Sequence, residues 1–327
     1  MQIEPQVGMN GGRASARART TQIKEHARAL GFDPIGIVAA EKLTREKTLV
    51  EEWLNRGYHG EMSWMAQDPD QRTDPRKIFP AAQSMVVVAL NYYTPHQHTD
   101  AAGTGKVSRY AWGDDYHEVV GERLHKLLAW IKERWPEAEG KVCVDIQRTM
   151  DKAWAVRAGL GWMGKHTNVI TPEHGSWIFI GELLLNLELE YDHKEVADQC
   201  GSCTLCIDAC PTGAIVEPYL VNSYLCISHA TIESRAPEIP AEIATHLEGW
   251  LYGCDICQDV CPWNHTASSS AIVEFEPRKG NINAQLSEVL ELTPETYAAR
   301  FRRSAMKRAK VSGLQRNARS LLNHTEV

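Results

Sequence analysis

The sequence predicts an α+β fold: a layered domain of helices and strands, a small cysteine-rich module after it, and a helical C-terminal segment. Three observations carry that expectation. Between residues 20 and 190, strand-like apolar runs alternate with amphipathic helical runs. Eight of the nine cysteines fall between residues 200 and 261, and the chain ends in helical patterns rich in Lys and Arg. At 327 residues with 43% hydrophobic content, the chain is long enough for a full-sized core plus a smaller module.

The elements follow in order. The start, "MNGGRASARARTTQ", is Arg-rich and acid-poor, and residues 1–19 are expected to form a disordered leader. "TTQIKEHARALGF" has helical apolar spacing, "PIGIVAA" is a short strand and "LTREKTLVEEWLNRGY" is amphipathic again. "SMVVVALNYY" reads as a buried strand. "DYHEVVGERLHKLLAWIKERW" reads as a long helix capped by Asp115. "KVCVDI" is then a strand, "TMDKAWAVRAGLGWMGKH" a helix closing on glycines, and "SWIFIGELLLNLEL" one or two strands. Residues 20–190 thus form the first domain, 191–265 the cysteine module and 266–327 a helical, basic segment. The longest apolar run is interrupted by Gly181, Glu182 and Asn186 and falls short of the roughly 18 residues a membrane span needs, so a soluble protein is expected. Neither G-x-G-x-x-G after a strand nor a P-loop occurs, and "AGLGWMGK" reads as a tight turn.

The cysteine spacing is the sharpest signal. "CGSCTLCIDACP" matches the C-x2-C-x2-C-x3-C-P run that holds [4Fe-4S] clusters, with Cys200, Cys203, Cys206 and Cys210 before Pro211. "YGCDICQDVCPWN" supplies Cys254, Cys257 and Cys261, but position 251, where its first cysteine belongs, is Leu251. Cys143 lies far upstream in an apolar strand, whereas Cys226 lies between the two runs, so Cys226 is assigned as the missing ligand. In such runs the fourth thiolate serves the other cluster. One ligand set is therefore Cys200, Cys203, Cys206 and Cys261; the other is Cys210, Cys226, Cys254 and Cys257; Cys143 remains a buried thiol. A structural zinc site has no use for the third cysteine and the proline, and a disulfide framework needs an oxidising compartment for which no secretory signal is found. A reducing cytoplasm is expected.

The net charge of -7 makes the whole surface a poor attractant for nucleic acid. The segment "FRRSAMKRAKVSGLQRNAR" nevertheless gathers Arg302, Arg303, Lys307, Arg308, Lys310, Arg316 and Arg319 without an acid. Such a run suits either a solvated helix face or a phosphate backbone. The residues ahead of the cysteines far exceed what an electron carrier needs, which favours a catalytic domain fed by clusters. A reductase also needs an acid to deliver protons. Asp145, ending an apolar strand, is the first candidate, with a pKa expected to rise on burial. Asp151 is the competitor, although its place at a helix start suits capping.

Taken together, "VDIQRTMDKAWAVRAGLGWMGKHTNVITPEHGSWIFIGELLLNLELEYD", the two cysteine runs, "SYLCISHATIE", "GEMSWMAQDPDQRTDPRKIFPAAQSMVVVALNYY" and "SRYAWGDDYHEVV" resemble the cobalamin-dependent epoxyqueuosine reductases over about residues 20 to 325. The resemblance implies a cobalamin-binding catalytic domain joined to a two-cluster module. The implied reaction removes the epoxide oxygen of epoxyqueuosine at the tRNA wobble position, and the implied catalytic acid is Asp145. It also implies electrons from an external low-potential donor, through two [4Fe-4S] clusters, to cobalamin. Lys152 stands where some members have Arg, and His166 where many have Asn. Lys152, Lys165, Asn168, Ser228 and His229 are candidates for corrin contact, and Tyr110, Asp115 and Tyr116 for the substrate pocket. Arg302, Arg303, Lys307, Arg308 and Lys310 are candidates for tRNA contact. A monomer is expected. A dehalogenase-like corrinoid reductase of a small molecule and a dicluster electron carrier are the alternatives.

Overall fold

The computed structural model describes the backbone of residues 8–192 and 195–324, and side chains from residue 15 onward within those ranges. Four strands, β1 (Ile35–Ala39), β2 (Ser84–Asn91), β4 (Gly140–Cys143) and β7 (Ile178–Leu185), form a sheet in the order β1-β2-β7-β4, antiparallel throughout. Seven of the eight β2 residues are buried, a continuous run rather than an alternating one, because both faces of the sheet are covered. On one face Val86, Val88, Leu183 and Leu185 pack with Ile23 and Ala27 of helix Gly8–Ala29 and with Leu124 and Leu127 of helix Tyr116–Arg134. On the other, Met85, Val87, Cys143 and Leu184 pack with Trp154 and Ala155 of helix Asp151–Arg157.

A second core is built from parts distant in sequence. Strand β3 (Thr104–Val107) leaves the first domain and lies between β10 (Trp250–Tyr252), to which it is parallel, and β11 (Asn283–Gln285), to which it is antiparallel. Val107 and Trp112 are buried there with Leu251, Tyr252, Leu286, Met306 and Leu314. Leu251 is fully buried, so the position where a cysteine was wanted serves the hydrophobic core instead. Two short hairpins complete the strands: β5 (Trp162–Met163) with β6 (Val169–Ile170), and β8 (Ile215–Glu217) with β9 (Leu220–Val221).

Several expectations change. Residues 1–7 of the supposed leader lie outside the described residues, but from Gly8 the chain is helical to Ala29. Ala16 is buried, Arg19 meets Glu137 at 3.5 Å and the Thr20 hydroxyl donates to the Glu190 carbonyl at 3.1 Å, so acids on neighbouring elements offset the Arg-rich start. The helix expected over residues 149–166 ends at Arg157, where Gly159 at φ +75° turns the chain into the β5-β6 hairpin. No described helix is long and apolar enough to cross a membrane.

The basic C-terminal run is not a free cationic face. Arg302 to Ala309 form a turn and a 3-10 segment, and the helix starts at Lys310. Arg316 is buried, donating to the carbonyls of Ala230, Ser234 and Ala236 and to the Asn317 side chain. Each such bond to a charged group contributes roughly 1.5–3 kcal/mol. Arg316→Met should therefore lower unfolding free energy by about 3 kcal/mol or more, read as a lower urea midpoint under anaerobic conditions; an unchanged midpoint would assign the residue to the surface.

Candidate active site

A cavity of about 440 Å³ lies between the four-stranded sheet and the cysteine module. Asp145, Asp151 and Lys152 face it from one side, and Cys210, Cys226 and Cys257 from the other. Asp145 sits two residues past the end of β4 in a left-handed conformation, φ +55°, which an Asp tolerates better than most side chains. Its carboxylate is 59% exposed toward this space and is held by two neighbouring residues of one helix. The Tyr116 hydroxyl donates to Asp145 Oδ2 at 2.7 Å, and His117 Nε2 lies 3.2 Å from the same oxygen. The other His117 nitrogen, Nδ1, lies 2.7 Å from Asp115 Oδ1, and Asp115 also caps the helix by accepting from the His117 backbone N–H. An imidazole between two carboxylates bonds to both as the cation.

The charge states follow from these contacts. Burial by itself lowers the pKa of His117 and is the largest single influence, but the hydrogen bonds and charges of Asp115 and Asp145 outweigh it and raise His117 to about 9. Burial tends to raise Asp145, yet His117, Tyr116 and Lys152 together hold it below the usual carboxylate range. The expectation of a raised Asp145 is therefore corrected: the proton resides on His117 and the carboxylate is charged. Asp151 does the reverse. It is the first residue of its helix, whose N-cap is Met150, so it does not cap. Burial first, then the Asp145 charge, push it up to about 6, and the Thr149 hydroxyl donates to it. His117 and Asp151 were both undervalued in the sequence; the pair Tyr116-His117 directly after the Asp115 cap was the available signal.

The other candidates divide. Tyr110, Tyr116, Asn168 and Ser228 line the cavity, as does Lys152, whose ammonium donates to Asn168 Oδ1 at 2.7 Å and to the Thr167 carbonyl at 3.0 Å. Lys165 does not reach it. Its buried ammonium donates to the carbonyls of Gly201 and Cys203 at 2.7 and 2.8 Å, pinning the first cysteine loop. His229 is buried against Gly60 and accepts from the Glu61 N–H at 3.2 Å, again away from the cavity. Asp115 acts through His117 rather than from the cavity wall. Among the C-terminal cations, Arg303 is paired with Glu118 and Glu122, and Arg308 with Glu233. Arg302, Lys307 and Lys310 are exposed. Arg308 also lies over Trp64, 5.9 Å from its ring, with Arg72 at 5.3 Å; Trp64 is 40% exposed and had not been singled out.

None of the nine cysteines is in a disulfide, and several of the eight expected ligands lie near one another. Burial, then the nearby Cys261, Cys200 and Cys203, raise the Cys206 thiol to about 11. Burial and then Cys257 and Cys226 raise Cys254, and Cys226 also has Cys210 in range. Neighbouring thiols are the donors that a [4Fe-4S] cluster takes. Cys143 is fully buried in β4.

Comparison with known proteins bears directly on this arrangement. Residues 72–146 match the family described as "Epoxyqueuosine reductase QueG, DUF1730", and residues 199–264 match a "4Fe-4S double cluster binding domain". A Synechocystis sp. protein named "Epoxyqueuosine reductase" is 44% identical over 274 residues, 84% of this chain and 94% of the relative. The chain belongs to the epoxyqueuosine reductase family. A crystal structure of an epoxyqueuosine reductase with an epoxyqueuosine-modified tRNA-Tyr stem loop is 33% identical with a TM-score of 0.86, covering 93% of this chain and 80% of that one. A Bacillus subtilis epoxyqueuosine reductase, described with its catalytic aspartate loop swung out of the active site, matches at 31% identity and a TM-score of 0.85, covering 93% and 81%.

The His117 contacts carry a pH signature. Because the folded pKa lies above the ordinary value of 6.5, the stability His117 contributes is complete below about pH 6.5 and is lost as pH rises through about 9. His117→Asn should flatten that alkaline fall in urea midpoint; an identical fall in the variant would assign the titration to another group.

Proposed function

We propose that this chain reduces the epoxide of epoxyqueuosine in tRNA to the alkene of queuosine, with Asp145 and His117 delivering a proton to the departing oxygen. The observation that carries this reading is Asp145, bonded to His117, facing a cavity whose far wall includes Cys210, Cys226, Cys254 and Cys257. A dicluster electron carrier has no need of an acid-base pair in such a place. A small-molecule corrinoid reductase would have no use for the exposed C-terminal cations and Trp64. The eight cysteines hold two [4Fe-4S] clusters in the crossed pattern, fed by an external low-potential donor. Cobalamin seated in the cavity would supply a low-valent cobalt able to pass electrons to the epoxide carbon.

The residues present suit that occupant. The cavity is open to both the thiols and Asp145, and His166 Nε2 is buried without a hydrogen-bond partner among the described residues. Burial, then Lys152, lower His166 to about 4, so it stays neutral beside the cavity. In this reading Lys152, Asn168 and Ser228, which line the cavity, hold polar groups of the cofactor, and Tyr110 and Tyr116 line the substrate side. Asp145 takes the His117 proton as negative charge develops on the substrate oxygen, and the Tyr116 hydroxyl keeps the carboxylate aimed at it. Arg302, Lys307 and Lys310 contact phosphates, and Trp64 offers an exposed ring on which an unpaired base stacks. Arg303 and Arg308 are removed from that set by their acids. A monomer acting in the cytoplasm, where tRNA is modified, completes the reading.

Nucleoside mass spectrometry after anaerobic incubation with epoxyqueuosine-containing RNA, reductant and reconstituted clusters tests the whole. Queuosine should form when cobalamin is added and not otherwise; none in either case would reject the reaction. Asp145→Asn should retain cobalamin and RNA binding while losing on the order of 100-fold or more in turnover, the usual scale for a positioned proton donor. Full turnover in that variant would remove Asp145 from the reaction.

A further inference from the structure

Glu182 is the least expected side chain in the molecule. It lies mid-strand in β7, fully buried, with Val87 of β2 opposite on one side and Cys143 of β4 on the other. Neither of its carboxyl oxygens has a hydrogen-bond partner among the described residues. The polar group facing it is the Asp151 carboxyl. Two carboxylates can only repel, whereas a proton shared between them makes a hydrogen bond; burial and then Asp151 accordingly hold Glu182 far above the usual carboxylate range. A buried, unpartnered acid in a central strand costs stability wherever it serves packing alone. Asp151 in turn faces the cavity and feels the Asp145 charge. Glu182, Asp151 and Asp145 therefore form a column of carboxyl groups running from the sheet interior to the reaction space.

The stoichiometry of the reaction gives that column a use. Deoxygenation of an epoxide breaks both C–O bonds, forms one C=C bond and releases the oxygen as water, so each turnover consumes two electrons and two protons. The electrons come from the external donor that the reaction already requires. His117, through Asp145, holds one proton. We propose that Glu182 and Asp151 share and store the second, delivering it through Asp151 as the oxygen leaves as water. This inference rests on the assignment of Asp145 and His117 as the first donor. The titratable and charged groups around the column are Cys143 from β4, Asp145 and Arg72 on the cavity side, Lys152 on the same helix as Asp151, and Tyr116 and His117 from the long helix.

The test uses the cluster- and cobalamin-loaded enzyme with epoxyqueuosine-containing stem-loop RNA and compares wild type, Glu182→Gln, Asp151→Asn and Asp145→Asn across pH. Infrared spectra of the same proteins report protonated carboxyl groups independently of turnover. Wild type should show a protonated-carboxyl band at neutral pH that Glu182→Gln lacks. Glu182→Gln should turn over at least about 10-fold more slowly than wild type above about pH 7 and recover toward it near pH 6, where Asp151 takes a proton from solvent. Asp151→Asn, which cuts the column at the cavity wall and guards against misfolding of the buried variant, should be slow at every pH. A wild-type pH profile in Glu182→Gln, or a uniform loss at all pH with the infrared band unchanged, overturns the store. Wild-type turnover in Asp145→Asn would instead overturn the first-donor assignment, so the two failures are distinguishable.

Discussion

The active site depends on one clamp between segments far apart in sequence. Asp255, inside the second C-x2-C loop, is fully buried and accepts from the Ser108 hydroxyl at 2.5 Å and the Arg109 N–H at 2.8 Å. Burial, then Asp259, push it up to about 7, against the opposing pull of those donors. Ser108 and Arg109 directly follow β3, the strand inserted between β10 and β11, so the same few residues join the sheet domain to the cysteine module. Arg109 tightens the joint by donating to the Thr94 and His96 carbonyls while its guanidinium lies 4.7 Å from the Trp112 ring. A cavity walled by both halves exists because this joint fixes one against the other. A shift of about 1 Å there is enough to spoil reaction geometry.

In and behind the cavity wall the decisive quantity is the distribution of protons over crowded acids. Asp145, Asp151 and Glu182 lie close enough to shift one another, and burial disfavours charge on all three. The conflict is resolved by location. Asp145 faces His117 and Tyr116, which stabilise its charge, whereas Glu182 faces apolar strands and another carboxyl. Like groups in unlike surroundings are thus driven to opposite protonation states, the arrangement by which a site separates a charged acceptor from a protonated store.

Much of this was legible in the sequence, and the missing parts share a physical reason. Cysteine spacing is local, so the double-cluster character of the cysteine module could be read from the chain. Apolar periodicity located the four strands of the main sheet and the helix after Asp115. The exchange of β3 into the second core was not legible, because "TGKV" carries no mark of its partners. The charge on Asp145 was misjudged because strand-end burial was weighed without Tyr116 and His117, which lie about thirty residues away in sequence and arrive only on folding. Lys165 and His229 looked like ligand contacts for a similar reason: their partners are backbone groups, which leave no trace in composition.

The basic segment teaches the same lesson at larger scale. Seven cations without an acid in their own stretch suit a solvated helix face or a phosphate backbone, yet Glu118, Glu122 and Glu233 come from elsewhere to meet Arg303 and Arg308, and Arg316 is consumed by the core. The exposed cations that carry no ion pair among the described residues there are Arg302, Lys307, Lys310 and Arg319. Fewer phosphate contacts mean fewer released counterions and a shallower dependence of binding on salt. On a chain of net charge -7, long-range attraction is correspondingly weak. In the proposed reading selectivity then falls to short-range features such as Trp64, which the Arg72 and Arg308 guanidiniums approach, and the exposed Ile146 beside Asp145. An enzyme that alters one base in a folded RNA gains from that division, because tight, sequence-blind phosphate binding would hold unmodified RNA as firmly as substrate.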